Sequence, residues 1–417
     1  MIKYKTIGLS LFATVNLFAL NINEAIDIAL TNNYSLKQQE YIVEESKVGL
    51  DSSKASYQPK LDLKYSYNNR DRLISGQIDE DSTLSANLSY NLFNGFSDKY
   101  NIEASQTSLN YSKLNLKAFT EDLILNVKNI YITYLLKEKN TQTLYEALKL
   151  YEKQYFDSTN YLEQGLIAQN EKLQVEVEML QAKQNYQKAK SEQKIAKKKL
   201  KNILGGKLDE LNNIEELKNS AIFITNFDIK QLETRSEIKA LEQLIENYTN
   251  KSKIIKGNFY PQVDAQLSHN SYGDDLSPTS RDNYPSSQSI GSITLNWNLY
   301  NGKKDDLSIV ANKKKIKQTQ MRIEDLKLQI KLQYEESLEE LDVAKLNLIT
   351  ATKAKEQAKI NYEIVKNKVQ EGISTNSDLI DANYLLTKSK QNYFSAYYNK
   401  YLSIATLQRV FENSSSR

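Results

Sequence analysis

The chain has 417 residues and no cysteine. Disulfides, thiolate nucleophiles and thiolate metal ligands are excluded, as is a lipid carried on an N-terminal cysteine, so stability has to come from packing and assembly. Histidine occurs once, as His269. A multi-histidine or His–Cys metal site therefore cannot be built, and a Ser–His–Asp arrangement would need that same residue, at a strand end in an expected surface loop. No glycine-rich phosphate loop is present, because Gly205-Gly206 is not followed by Lys-Ser/Thr. No cofactor is expected. Charge of one sign is scarce too: 55 Lys and Arg against 52 Asp and Glu leave +3, and removing Lys3 and Lys5 with a leader would leave +3 − 2 = +1. That balance gives no electrostatic case for nucleic acid. Past the N-terminus no run of 18 apolar residues remains, so no transmembrane helix is expected, and a membrane-spanning form would have to be a β-barrel.

Proline is rare as well. Pro59, Pro261, Pro278 and Pro285 are the only four, and all lie at or inside two strand-like regions. None interrupts a helical pattern, where each would cost roughly 3 kcal/mol. Of the twelve glycines only Gly49 falls within one. The chain is punctuated for very long helices.

Residues 1–19 read as an export signal: Lys3 and Lys5, an apolar stretch from Ile7, and a small-residue cleavage site after Ala19.

Beyond that leader the sequence repeats itself. Residues 85–95, SANLSYNLFNG, and 292–302, SITLNWNLYNG, agree at six of eleven positions at an offset of 207, with Tyr90 matched by Trp297 and Phe93 by Tyr300. The same offset carries Gly165 onto Gly372. Each copy is an alternating strand, an Asn-Gly turn, about 67 residues of helical pattern and a second glycine, the mark of a duplicated unit.

A first helix is expected from Asn23, its cap, to about Tyr57. Strand pairs follow in each copy, 61–92 and 262–299, joined by polar loops at roughly 69–83 and 270–289. Leu61, Leu63, Tyr65 and Tyr67 alternate with polar residues, as do Leu84 through Leu92, Val263 through Leu267, and Ile293 through Leu299. One face is apolar with aromatic ends (Tyr65, Tyr67, Tyr90, Phe93, Trp297, Tyr300) and the other small and polar, as a barrel with lipid outside and water inside requires. From Asp98 to Gln164 and Asp305 to Glu371 runs helical pattern that would reach roughly 100 Å if unbroken, at about 1.5 Å per residue, although breaks are possible. Leu123, Val127, Ile130 and Tyr134 suit a coiled-coil seam. Gly165 and Gly372 reverse the chain, and helices resume to Leu204 and about Phe411. The expected division is leader 1–19, first repeat 20–204, linker 205–235, second repeat 236–412 and tail 413–417. The lysine runs 197–199 and 313–315 read as solvated helix faces.

Four strands cannot close a barrel, and open edges do not survive in hydrocarbon. Two chains would give eight strands with a filled interior, and three would give twelve with a lumen. The ordered set Asn23-Glu24-Ala25, Ala29-Leu30, Pro59, Leu92-Phe93-Asn94-Gly95, Pro261, Leu299-Tyr300-Asn301-Gly302, Gly372-Ile373-Ser374 and Asp378-Leu379-Ile380-Asp381-Ala382 resembles the outer membrane efflux protein family, typified by TolC. The resemblance covers the whole chain after the leader. It implies a mainly α fold with a β-barrel part: a homotrimer with a twelve-stranded barrel in the outer membrane of a Gram-negative bacterium. A tunnel of long antiparallel helices continues across the periplasm to an adaptor protein and an inner-membrane pump. It also implies a narrow aperture at Asp378 and Asp381, with Glu171 at the matching place in the first copy, and adaptor docking at the tips Gly165-Leu166 and Gly372-Ile373-Ser374. The family's Tyr and Arg latch residues are not matched, since Val369 and Ser374 stand there. Independently of the name, carboxylates at i and i+3 share a helix face, and rings of them attract cations. The same pair near a helix N-terminus is also favoured by the dipole alone. The expected function is a passive exit duct for efflux or for type I secretion, not an enzyme. The alternative is a soluble periplasmic coiled-coil scaffold.

Overall fold

The computed structural model describes residues 20–71, 79–206, 214–217, 229–282 and 284–412. The expected leader 1–19, much of the linker 205–235 and the tail 413–417 lie outside those residues. By contacts the chain forms two compact units. One is drawn from Met1–Lys37, Phe119–Ile229 and Ile330–Arg417, the other from Gln38–Ala118 and Lys230–Gln329. Each unit takes residues from both sequence copies.

In chain order the elements are α1 (Ile22–Asn32), α2 (Tyr34–Lys54), β1 (Lys60–Asn69), β2 (Glu80–Asn94), α3 (Ser97–Glu163), α4 (Gln169–Ile203), α5 (Ser236–Lys256), β3 (Gln262–Gly273), β4 (Ser287–Asn296), α6 (Lys304–Gln370) and α7 (Asn376–Val410). The two 67-residue helices α3 and α6 are unbroken. With no proline and no internal glycine, nothing in either removes a backbone donor or relaxes the ladder. Corresponding ends of α3 and α6, and of α4 and α7, are all 207 residues apart.

The first helix differs from its expected form. Asn21, not Asn23, is the cap: its side chain accepts from the Glu24 N–H at 2.9 Å while the Glu24 carboxylate accepts from the Asn21 N–H at 3.1 Å. The helix then breaks at Asn33, whose Oδ1 accepts from the N–H groups of Ser35 and Leu36 and restarts the chain as α2. An asparagine that offers the backbone a local acceptor competes with helix continuation.

In the unit containing Gln38–Ala118 and Lys230–Gln329, four antiparallel strands lie in the order β1-β2-β3-β4, so β1 and β4 are its edges. The strands reach further into the loops than expected, to Asn69 and Gly273 and back from Glu80 and Ser287. Leu61, Leu63, Leu88, Leu267, Ile293 and Leu295 share one face and are exposed. A bulge between Asn91 and Phe93 opposite Asp264 and Val263 brings Phe93 onto the face of Tyr90 and leaves Leu92 as the extra residue. β4 stops at Asn296, short of the expected Leu299. Its counterpart in β2, residues 90–94, is held by residues 262–265 of β3, whereas 297–301 have no strand beside them among the described residues. In the same unit, α2 is pinned to α3 by Ser46–Ser112 at 2.7 Å and Ser53–Ser105 at 2.6 Å. α5 is pinned to α3 by Asn247, whose Nδ2 lies 2.6 to 3.1 Å from Ala104 O, Thr107 Oγ1 and Ser108 Oγ.

The other unit is helical. Ile124, Val127, Tyr131, Leu135, Leu200, Leu204, Ile330, Leu341, Tyr398 and Leu407 are among its most buried side chains. Of the expected seam, Leu123, Val127 and Tyr134 are buried and Ile130 is half-buried. The Tyr131 hydroxyl lies within 2.8 Å of both Leu20 O and Glu215 O, where Leu20 and Ile214 form a short parallel bridge.

Candidate functional site

The two reversals are built alike. α3 ends as the Gly165 N–H donates to Leu162 O at 2.9 Å and the Leu166 N–H to Tyr161 O at 2.8 Å. α6 ends as the Gly372 N–H donates to Val369 O at 3.1 Å and the Ile373 N–H to Lys368 O at 2.8 Å. This crossed pair of bonds satisfies the last carbonyls of a helix and needs a left-handed residue at its centre. Gly165 (φ 72°) and Gly372 (φ 71°) supply it. An apolar residue after such a glycine usually packs back on its own helix. Here Leu166 and Ile373 do not: they are 66% and 69% exposed. Both tips thus present a large aliphatic side chain to solvent.

Asp378 sits in the first turn of α7. Thr375 caps that helix through the Asp378 N–H at 3.2 Å, and the Asp378 carboxylate accepts from the Thr375 N–H at 2.9 Å, the Thr375 hydroxyl at 2.8 Å and the Ser374 hydroxyl at 2.7 Å. These donors, the Thr375 N–H foremost, hold the carboxyl below the usual aspartate range. Ser374, expected as a docking residue, is thereby tied to the aspartate. Asp381, one turn on, is exposed. Its charge, after burial and together with Glu178, pushes the Tyr151 phenol up, so it lies within electrostatic reach of α3. Between the two aspartates Ile380 points inward, packing with Leu148, Tyr151, Val175 and Ala182. Gln154 Nε2 donates to Asn376 O at 3.1 Å and holds the start of α7 on α3. Glu171 occupies the same first-turn position in α4 and is half-buried, but Ala168 stands where Thr375 would be and gives no side-chain cap. Thr375, Gln154 and Tyr151 were not singled out from sequence. Thr375-x-x-Asp378 is a capping-box spacing and could have been.

The aromatic residues divide between the two ends of the strands. At the loop end the Tyr65 hydroxyl donates to Leu276 O at 2.6 Å, and Arg281 stacks over Tyr272 and Tyr284. At the helix end Phe93 meets Phe96 edge-on at 5.1 Å, Phe96 meets Tyr260 at 6.2 Å, and Trp297 Nε1 donates to Phe259 O at 3.1 Å. Tyr67 is half-buried, and Tyr90 and Tyr300 are exposed. Among the described residues no group of acidic or histidine side chains could hold a metal ion, and no helix is long and apolar enough to cross a membrane.

The sequence pattern of the outer membrane efflux proteins matches residues 25–206 and, a second time, 230–411. The chain belongs to that family. As an outer membrane efflux protein it acts at the outer membrane, and the soluble-scaffold alternative gives way. The fold agrees with solved structures of low sequence identity. CusC, in a study of "folding and transmembrane channel formation", superposes with a TM-score of 0.82 at 16% identity, covering 94% of this chain and 91% of that one. The Campylobacter jejuni CmeC outer membrane channel gives 0.83 at 18% identity, covering 94% and 86%. The open state of the Neisseria gonorrhoeae MtrE outer membrane channel gives 0.76 at 16%, covering 94% and 89%. No curated protein matches the chain by sequence.

Proposed function

We propose that three copies of this outer membrane efflux protein close a twelve-stranded barrel and form a passive exit duct, fed by an inner-membrane pump through a periplasmic adaptor. The carrying observation is the sheet: four strands, two open edges and an exposed apolar face. An open edge in hydrocarbon leaves a row of unmet backbone groups, so further strands must come from further chains. The channel described for CusC, CmeC and MtrE is the reading carried over here. The chain divides into repeats 20–204 and 236–412 around an equatorial linker, after removal of a leader 1–19. Asp378, Asp381 and Glu171 line the periplasmic aperture, and Gly165-Leu166 with Gly372-Ile373-Ser374 seat the adaptor. The exposure of a large aliphatic side chain at both equivalent turns, Leu166 and Ile373, supports a protein partner there. Aromatics at both strand ends sit at the two membrane interfaces. The duct does no chemistry of its own; the gradient or nucleotide is spent by the pump. Efflux of small molecules and type I protein secretion fit the same duct.

Electron microscopy of the full-length protein, exported with its own leader and extracted in detergent, tests this. Threefold particles with a detergent belt at one end of a tube are expected. Monomers soluble without detergent would overturn it.

A further inference from the structure

The apolar face of the sheet changes character along β3 and β4. Across the four strands one row reads Leu61, Leu88, Leu267 and Gly291. The next toward the loops reads Leu63, Ala86, His269 and Ser289, and the one beyond it Tyr65, Leu84, Ser271 and Ser287. The β1–β2 half thus stays apolar through Tyr65 and Leu84, while the β3–β4 half turns polar after Leu267 and Gly291. His269, expected in a surface loop, lies inside β3, with its Nδ1 hydrogen-bonded to the Ser289 hydroxyl at 2.9 Å. His269, Ser287 and Ser289 are exposed.

On the helix side of that boundary lies a hollow of about 640 Å³. Leu88, Tyr90, Leu267 and Ile293 stand around it, and Ala265 and Gly291 leave it room. A Cβ on Gly291 would meet nothing within 4 Å. The volume is that of a small-molecule site, and a glycine within a strand often marks where a ligand comes close to the backbone. The hollow runs on along the strands to His269 and Ser289, each two residues further. Membrane barrels line the rims of their apolar band with aromatic rings. β1 does so with Tyr65 and Tyr67, but past Leu267 and Gly291 this face of β3 and β4 has no aromatic residue. The β3–β4 loop does not fill the gap either. It leans toward β1, where Leu276 O accepts from the Tyr65 hydroxyl at 2.6 Å.

We propose that this hollow seats an acyl chain of a glycolipid of the outer leaflet, whose head is received by His269, Ser287 and Ser289. The order of the features is that of an upright amphiphile. The apolar part lies toward the helices and the hydrogen-bonding part toward the loops, which in an outer membrane duct is the side of the outer leaflet's heads. What receives the head argues its chemistry. Neither β3 nor β4 contains a lysine or arginine. One imidazole and three hydroxyls, Ser271 included, both donate and accept, so they recognise hydroxyl, ester and amide groups rather than net charge. A sugar head with ester- or amide-linked chains offers all three beside hydrocarbon. A side chain at 291 would close the hollow, and an aromatic one would restore the rim; the glycine leaves that place to the lipid. The inference rests on the barrel reading.

Native mass spectrometry of the delipidated full-length protein in detergent reads assembly and lipid in one spectrum. The probe is rough-type lipopolysaccharide, with phosphatidylethanolamine as the competing lipid. The glycolipid should be retained, up to one per chain, at a collision energy that strips phosphatidylethanolamine. Gly291→Leu, for which the backbone has room, should abolish retention. His269→Ala with Ser289→Ala should weaken it on the order of tenfold, as the loss of one or two hydrogen bonds does. Leu63→Ala, two strands from His269 on the same face, should leave it unchanged. Equal retention of both lipids, or of the glycolipid by Gly291→Leu, would mean unselected surrounding lipid and overturn the site. Phosphatidylethanolamine held with the same dependence on Gly291 would overturn the glycolipid assignment. An oligomer without lipid overturns the site alone, whereas a spectrum of monomers overturns the barrel reading and the site together.

Discussion

Lys128 shows what burial does to a single charge. Its ammonium donates to Gln408 Oε1 at 2.8 Å within the helical unit. Desolvation pulls its pKa from 10.5 down to about 8, with Glu121 opposing. Below pH 8 the folded and unfolded states both hold the proton, and the folded state bears the whole penalty. Between pH 8 and 10.5 the unfolded chain holds more protons, so stability rises with pH. The window of 10.5 − 8 = 2.5 units bounds the gain at about 3 kcal/mol, at roughly 1.4 kcal/mol per unit. Lys128→Met should abolish that rise and raise the denaturation midpoint at pH 7, read by chemical unfolding across pH 7 to 10. A variant that keeps the wild-type slope would assign it to other groups. Nothing in the sequence distinguished this lysine from the many solvated ones, because burial at one position of α3 depends on α7, some 280 residues away.

At the scale of elements, the tip turns join geometry to substitution. Gly372 needs φ 71° but has open space around it, so Gly372→Ala should cost only the backbone term, about 1 kcal/mol. Gly372→Asn should cost less, since asparagine tolerates the left-handed region. Amide exchange at Ile373, whose N–H closes the turn, should report both; equal protection in all three proteins would mean that the turn does not depend on the glycine. Helix lengths, turns and strand alternation were legible in the sequence because each is set within a few residues: an apolar period, a glycine, an absent proline. The break at Asn33 was not, since a helical pattern continues through it and only the asparagine's local hydrogen bonds interrupt it. Nor was the early end of β4. Residues 297–300 carry the same alternation as 90–93 and differ only in what lies beside them. The Asp378 carboxylate was legible as a first-turn acid, while its engagement by Ser374 and Thr375 emerged from the fold.

For the whole assembly, threefold repetition would multiply Asp378 and Asp381 into two rings of negative charge. Cap donors keep Asp378 ionised to lower pH than an ordinary aspartate, and Asp381 presents an exposed carboxylate. Replacing both with Ala should widen and discharge the opening, raising single-channel conductance in planar bilayers and reducing cation preference. Asp381→Asn alone should lose selectivity without fraying α7. Unchanged conductance and reversal potential would remove the aperture from this position. The equal spans of the repeats bear on how such a duct changes through descent. Gly95 to Gly165 and Gly302 to Gly372 are the same number of residues apart, and each span is one uninterrupted helix. A seven-residue deletion in α3 alone would draw Leu166 back by about 10 Å, at roughly 1.5 Å per residue, and leave Ile373 where it was. Insertions and deletions in these helices are therefore acceptable only as matched pairs, so lineages of this protein should differ in hairpin length by coordinated heptad steps in both halves of the gene.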